Sequence, residues 1–145
     1  MVDLQQGKRF HFDALVIGSG LAGLYYCLAL NELNPALNIA LITKGRLKDC
    51  NSYYAQGGIA SAENSKEALK SHVNDTLKAG AALSHPQFTH DILSQGHLII
   101  ESLTRYGVNF DKENGTYHLA KEGGHEARRI YHCGDETGKH ITDAL

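Results

Sequence analysis

The sequence predicts an α/β fold built on parallel strands, and three observations in its first third predict it. Asp13-Ala-Leu-Val-Ile17 is a short apolar run that reads as a buried strand. Gly18-Ser-Gly20-Leu-Ala-Gly23 follows at once as a glycine turn opening a helix over Leu21–Leu33. A second apolar run, Asn38-Ile-Ala-Leu-Ile42, comes next. Strand, turn, helix and strand within about thirty residues make a βαβ unit, whose strands lie parallel in one sheet.

Each later element has its own signal. Asn34-Pro35 ends the first helix, because proline disfavours helical backbone at the residue before it. Thr43–Ser61 reads as a long loop carrying Gly57-Gly58. Asn64 with Glu67 three residues on resembles a capping box. The helix it opens carries Leu69, Val73, Thr76 and Leu77 on one face, an ordinary core-packing stripe, and stops at Gly80. A further helix starts at Pro86, with Phe88, Ile92, Ile99 and Leu103 at helical spacing, a weak middle at Gly96 and a stop at Gly107. Val108–Asp111 and Thr116–Leu119 flank Asn114-Gly115, a hairpin signal. A loop around Gly123-Gly124 leads to a strand at Arg129–Cys133. A turn at Gly134–Gly138 leads to a helix opening over Lys139–Leu145. A βαβ unit needs more sheet than two strands. The expectation is therefore an N-terminal arm over 1–12 and, over 13–145, a partial domain truncated at its C-terminus.

Composition narrows the function. The chain has 145 residues, 21% of them charged, and a net charge of -2, which points away from nucleic acid. Fifteen glycines against two prolines ask for tight turns and close backbone approaches. The three cysteines, Cys27, Cys50 and Cys133, form no CxxC pair, which favours a reducing compartment. The N-terminus has no apolar leader pattern, and the longest apolar run, near Leu21–Leu30, is too short to span a membrane. A cytoplasmic protein without a membrane segment is expected. No metal is expected: His118, His125 and His132 recur every seven residues, but Gly123-Gly124 breaks any helix that would align them. His125-Glu126-Ala-Arg-Arg129 is not HExxH, and no P-loop or serine-hydrolase elbow is present.

Gly18-Ser-Gly20-Leu-Ala-Gly23 fits G-x-G-x-x-G in the strand-to-helix context that its mechanism requires. Gly18 makes the sharp turn, Gly20 lets the backbone approach a pyrophosphate, and Gly23 lets the helix pack on the strand. The helix N-terminus offers N–H groups and a positive dipole end. The acidic residue expected about 20 positions on, for ribose hydroxyls, is replaced by Thr43-Lys44. A threonine can meet a ribose oxygen and Lys44 a phosphate, so this position leaves FAD and NADP both open.

Asn51-Ser-Tyr-Tyr-Ala-Gln-Gly-Gly-Ile-Ala60, together with Asp13–Gly23, closely resembles the L-aspartate oxidases, flavoproteins of the succinate dehydrogenase/fumarate reductase superfamily. Ser71–Gly80, Glu122–His132 and Asp135-Glu-Thr-Gly138 continue the likeness. The resemblance implies a Rossmann-like FAD-binding domain, incomplete, with the beginning of an inserted or capping region. It implies FAD contacts at Ser19, Gly20, Leu21 and Ala22 in the turn framed by Gly18 and Gly23. It also implies contacts at Lys44 and at Asn51, Ser52, Tyr53, Tyr54, Ala55, Gln56, Gly57 and Gly58. Gly57 and Gly58 would let backbone run against a flat ring, and Gln56 can hydrogen-bond flavin heteroatoms. Relatives with covalent FAD carry a histidine where this chain has Asn51, so non-covalent FAD is expected.

Glu122 matches a family glutamate near the substrate. Its carboxylate can meet the ammonium of L-aspartate through a charge-assisted hydrogen bond. Arg128 and Arg129 can hold substrate carboxylates or pair with nearby acids, and stay unassigned. The implied reaction is oxidation of L-aspartate to iminoaspartate, with oxygen or fumarate as acceptor, at the first step from aspartate toward NAD. Quinolinate synthase is a candidate partner. A fumarate reductase or succinate dehydrogenase type of flavoprotein is the nearest alternative, and a non-catalytic nucleotide-binding remnant is another.

Overall fold

The computed structural model describes residues 9–145, so residues 1–8 of the expected arm lie outside the described residues. Two compact units divide the chain. One comprises Met1–Cys50 with Leu145, and the other Asn51–Ala144.

The first unit is the βαβ unit that the sequence predicts. β1 (Ala14–Ile17) pairs in parallel with β2 (Ile39–Ile42), Ala14 opposite Ile39 and Ile17 opposite Ile42. Asp13 and Asn38 lock the register. The Asp13 N–H donates to the Asn38 carbonyl, and the Asn38 N–H returns to the Asp13 carboxylate at 2.8 Å. Between the strands runs α1 (Leu21–Leu33), ended by Asn34, whose N–H donates to the Leu30 carbonyl. None of its residues is buried, and Leu15, Ile17 and Ile42 of the strands are exposed. A parallel sheet normally has both faces covered.

The second unit holds most of the core: Ile100, Leu103, Val108, Phe110, Ile130 and Ile141 are buried there. The segment expected as one loop contains a helical turn, α2 (Asn51–Tyr54), and a short strand, β3 (Ile59–Ala60). β3 pairs antiparallel with β6 (Ile130–Tyr131). These elements escaped prediction because they hold only four and two residues, and their pairing partners lie far along the chain.

α3 (Lys66–Ala79) is capped by Ser65, one residue later than expected. Ser65 takes the extended cap conformation, and its hydroxyl accepts from the Ala68 N–H at 3.1 Å. The residues that α3 buries are His72 and Asp75, not its apolar stripe.

The expected Pro86–Gly107 helix is two helices, α4 (Pro86–Leu93) and α5 (Gly96–Arg105). Side chains close the break, since the Ser94 hydroxyl and the Gln95 amide both donate to the Asp91 carbonyl. Gly96 then packs on Ser61, whose Oγ would stand 2.8 Å from any Cβ there. Of the apolar face expected for that helix, Leu103 is buried, whereas Phe88, Ile92 and Ile99 are exposed. Gly107 ends α5 with φ +104.

The hairpin is shorter than expected, β4 (Lys112–Glu113) against β5 (Thr116–Tyr117), with positive φ at both Asn114 and Gly115. α6 (Thr137–Ala144) starts two residues earlier than expected and lies on α2. The Gly138 N–H donates to the Ala55 carbonyl, and a side chain at 138 would meet the carbonyls of Ser52 and Ala55.

Candidate FAD and substrate site

In the first unit the glycine turn has the shape that a pyrophosphate requires. Gly18 has φ +109, a conformation that L side chains rarely adopt. A Cβ on Gly23 would strike the Gly18 carbonyl and press on Val16, so helix and strand approach closely only with glycine there. Gly20 stands at the N-cap and brings no side-chain cap, and no acidic residue lies in the first turn of α1. Ser19 is buried and its hydroxyl meets that of Thr43 at 3.3 Å. The turn is thereby tied to the end of β2, beside the exposed Lys44.

In the second unit Gly57 and Glu122 come together. A Cβ on Gly57 would stand 3.7 Å from Oε1 of Glu122, with nothing else near. Ala55, Gln56, Gly57 and Gly58 are all exposed. Gly58 answers first to the protein itself, because a Cβ there would strike the Tyr131 carbonyl and Ile130 across the β3–β6 pair. Gly57 is the glycine that leaves open space, and the Glu122 carboxylate borders that space.

The segment bearing Glu122 is held at several points. An isolated bridge joins Ala120 to Ile130 at its base. The His125 N–H donates to the Glu122 carbonyl at 3.3 Å, and Gly124 takes φ +88. One Oδ2 of Asp75, on α3, accepts from the Glu126 N–H at 2.9 Å and from Nη1 of Arg129 at 3.0 Å. Nη2 of Arg129 reaches the Ser71 hydroxyl at 2.8 Å. Asp75 and Arg129 are 5% and 3% exposed, so this ion pair is buried. The Glu126 N–H, above all, and the Arg129 cation hold the Asp75 carboxyl below the ordinary range against the opposing effect of burial.

Beside the pair, the rings of His72 and His125 lie 5.7 Å apart. Burial first, then the neighbouring Arg129 and His125, push His72 down to about 4, so it is neutral at pH 7. Both arginines left unassigned by the sequence have partners within this unit. Arg129 pairs with an internal acid, and Arg128 donates to the Leu119 carbonyl at 3.3 Å. The seven-residue histidine spacing separates in space: His125 meets His72, while His118 meets His132, whose Nδ1 contacts Asp111 at 3.1 Å. Sequence reasoning gave Ser71, His72 and Asp75 no role. The available signal was a His and an Asp three apart on a helix, with Arg128-Arg129 downstream needing a partner.

A family profile described as FAD binding domain matches residues 13–145. The chain belongs to the FAD binding domain family. Its cofactor is FAD, and Gly18 and Gly23 of the first unit meet the backbone demands of a pyrophosphate turn. L-aspartate oxidase of Neisseria meningitidis is 44% identical over 133 residues, 92% of this chain and 26% of that protein. The Yersinia pestis L-aspartate oxidase is 40% identical over 98% of this chain and 27% of that one, and the chloroplastic Arabidopsis thaliana one 40% over 93% and 20%.

Among solved structures, E. coli quinol fumarate reductase superposes with TM-score 0.87 at 25% identity, covering 93% of this chain and 23% of that one. Mycobacterium smegmatis Sdh1 does so with TM-score 0.86 at 28% identity, over 95% and 23%. The chain spans about a quarter of the length of these relatives. Its fold is that of a partial, Rossmann-like α/β FAD-binding domain. Among the described residues no helix is long and apolar enough to cross a membrane.

Proposed function

We propose that this chain supplies part of the FAD-binding domain of an enzyme that oxidises L-aspartate to iminoaspartate, passing electrons to oxygen or fumarate. The observation that carries the reading is the Glu122 carboxylate bordering the open strip at Gly57. FAD supplies the two-electron acceptor. The chain's own residues bind and orient: Ser19, Gly20, Leu21 and Ala22 take the pyrophosphate, Lys44 adds a cation, and Asn51 through Gly58 meet the ring. Glu122 receives the substrate ammonium and so orients the α-carbon. L-aspartate carries that ammonium and succinate does not, which favours an amino-acid oxidation over the fumarate reductase or succinate dehydrogenase alternative.

In this reading residues 13–145 are part of a larger FAD-binding domain, the location is cytoplasmic, and the product feeds quinolinate synthase in NAD formation. In the full-length protein, anaerobic L-aspartate is expected to bleach the flavin, and peroxide is expected to form in air. Bleaching by succinate but not by aspartate would overturn the reading. With Asn51 where covalent relatives carry histidine, the flavin is expected to be non-covalent. Acid precipitation should release it all to the supernatant, and yellow protein in the pellet would contradict this.

A further inference from the structure

We infer that Asp75 is a positioning residue that sets the preference for an amino-bearing substrate by aiming Glu122. This rests on the reading of Glu122 given above. Asp75 touches neither of the two places assigned to FAD and substrate. What it touches is the segment that carries Glu122. Its single Oδ2 holds the backbone N–H of Glu126 and the guanidinium of Arg129, and both residues lie between the Ala120–Ile130 bridge and the turn at Glu122–His125. Glu126 is one turn of chain from Glu122. Fixing its N–H on a rigid helix therefore fixes the direction in which the Glu122 turn opens toward Gly57. The His72–His125 ring contact adds a second point of attachment to the same helix.

A buried ion pair is a poor source of net stability, because desolvating two charges opposes their attraction. Its geometry is directional, however, and here both donors point from the substrate segment to one oxygen of α3. The Glu122 side chain is exposed, so its direction is set through the backbone of its segment. Without the clamp the turn can swing, and the ligand that suffers is the one that needs Glu122. Ligands held through carboxylates alone lose little. The consequence is selectivity, which a purely structural role would not produce.

The test is a double-mutant cycle in the full-length protein. Asp75→Asn is expected to raise the KM for L-aspartate about tenfold while changing the inhibition constant of succinate less than twofold, with FAD content preserved. In a Glu122→Gln background the same substitution is expected to leave the aspartate KM unchanged, because the group being aimed is already lost. Arg129→Lys, which keeps the charge and loses the fork, should show the same pattern more weakly. Equal effects on aspartate and succinate, additive effects with Glu122→Gln, or loss of FAD in both Asp75→Asn and Arg129→Lys would each overturn the inference. If the unsubstituted protein does not oxidise aspartate, it is the reading of Glu122 that fails, and the two failures are distinguishable.

Discussion

Two side chains show how environment, more than residue type, decides what a group does. Glu122 is exposed and adjoins Gly57, free to meet a cation from outside. On the proposed reading, replacing it by glutamine removes the negative charge that meets the substrate ammonium, about 1.5–3 kcal/mol for a hydrogen bond to a charged group. Glu122→Gln is therefore expected to raise the KM for L-aspartate by about ten- to a hundredfold. Steady-state kinetics with aspartate check this, and an unchanged KM would remove Glu122 from the site. His72, by contrast, is buried and neutral. Its folded value, about 4, lies below the 6.5 of an unfolded chain. Above 6.5 both states are neutral and His72 adds no pH dependence. Below it the unfolded chain takes up a proton that the folded chain refuses until about 4, so stability falls across that window. The slope is at most about 1.4 kcal/mol per pH unit. The lowered Asp75 carboxyl acts in the same direction further down. Urea midpoints at pH 7, 6 and 5 should decline, and His72→Gln should flatten the decline above pH 5.

Among the elements, the caps and contacts vary in strength. Ser65 closes α3 with one side-chain hydrogen bond, so Ser65→Ala is expected to cost about 1 kcal/mol. Gly138 sits where α6 meets the carbonyls of α2, and Gly138→Ala is expected to cost more, about 1–3 kcal/mol through overpacking. Denaturant unfolding ranks the two, and a larger loss at Ser65 would contradict the close contact seen at Gly138. The same comparison shows what was legible in the sequence. β1, α1 and β2 were readable because their signals are local: apolar runs, a glycine turn and Asn-Pro. Gly107 and Asn114-Gly115 were readable for the same reason, since positive φ leaves a mark on residue type. The break at Ser94-Gln95 was legible only as a weak middle at Gly96, because Asp91, Ser94 and Gln95 look like ordinary helix-surface residues until their bonds are seen. α2 and β3 were not readable because α6 and β6, far along the chain, hold them in place.

For the whole molecule, the site divides in the same way. The cofactor half announces itself by motif, while the Asp75–Arg129 clamp spans 54 positions and has no spacing rule. The apolar surface of the first unit is also a property of the whole chain. Leu15, Ile17, Leu33 and Ile42 are exposed, Ile17 by 78% and Leu33 by 83%, more than a parallel sheet and its helix ordinarily leave open. The 145-residue chain by itself is expected to bind the dye ANS strongly. Leu15→Lys and Ile17→Lys together should cut the fluorescence, and weak dye binding by the unsubstituted chain would show that this face is covered.

The β3–β6 pair has a consequence in time. Ile59 and Ala60 find their partners at Tyr131 and Ile130, about seventy residues later. Pairings of such separation are slow to form, because a long loop must close before any contact rewards it. At about 5–20 residues per second, a ribosome needs several seconds to deliver β6 after β3. The helices between them, built from local contacts, can form in that interval. The strip at Gly57 therefore takes shape only after the far strand arrives, when α3, α4 and α5 between the two strands can already be in place, and α2 waits longer still for α6.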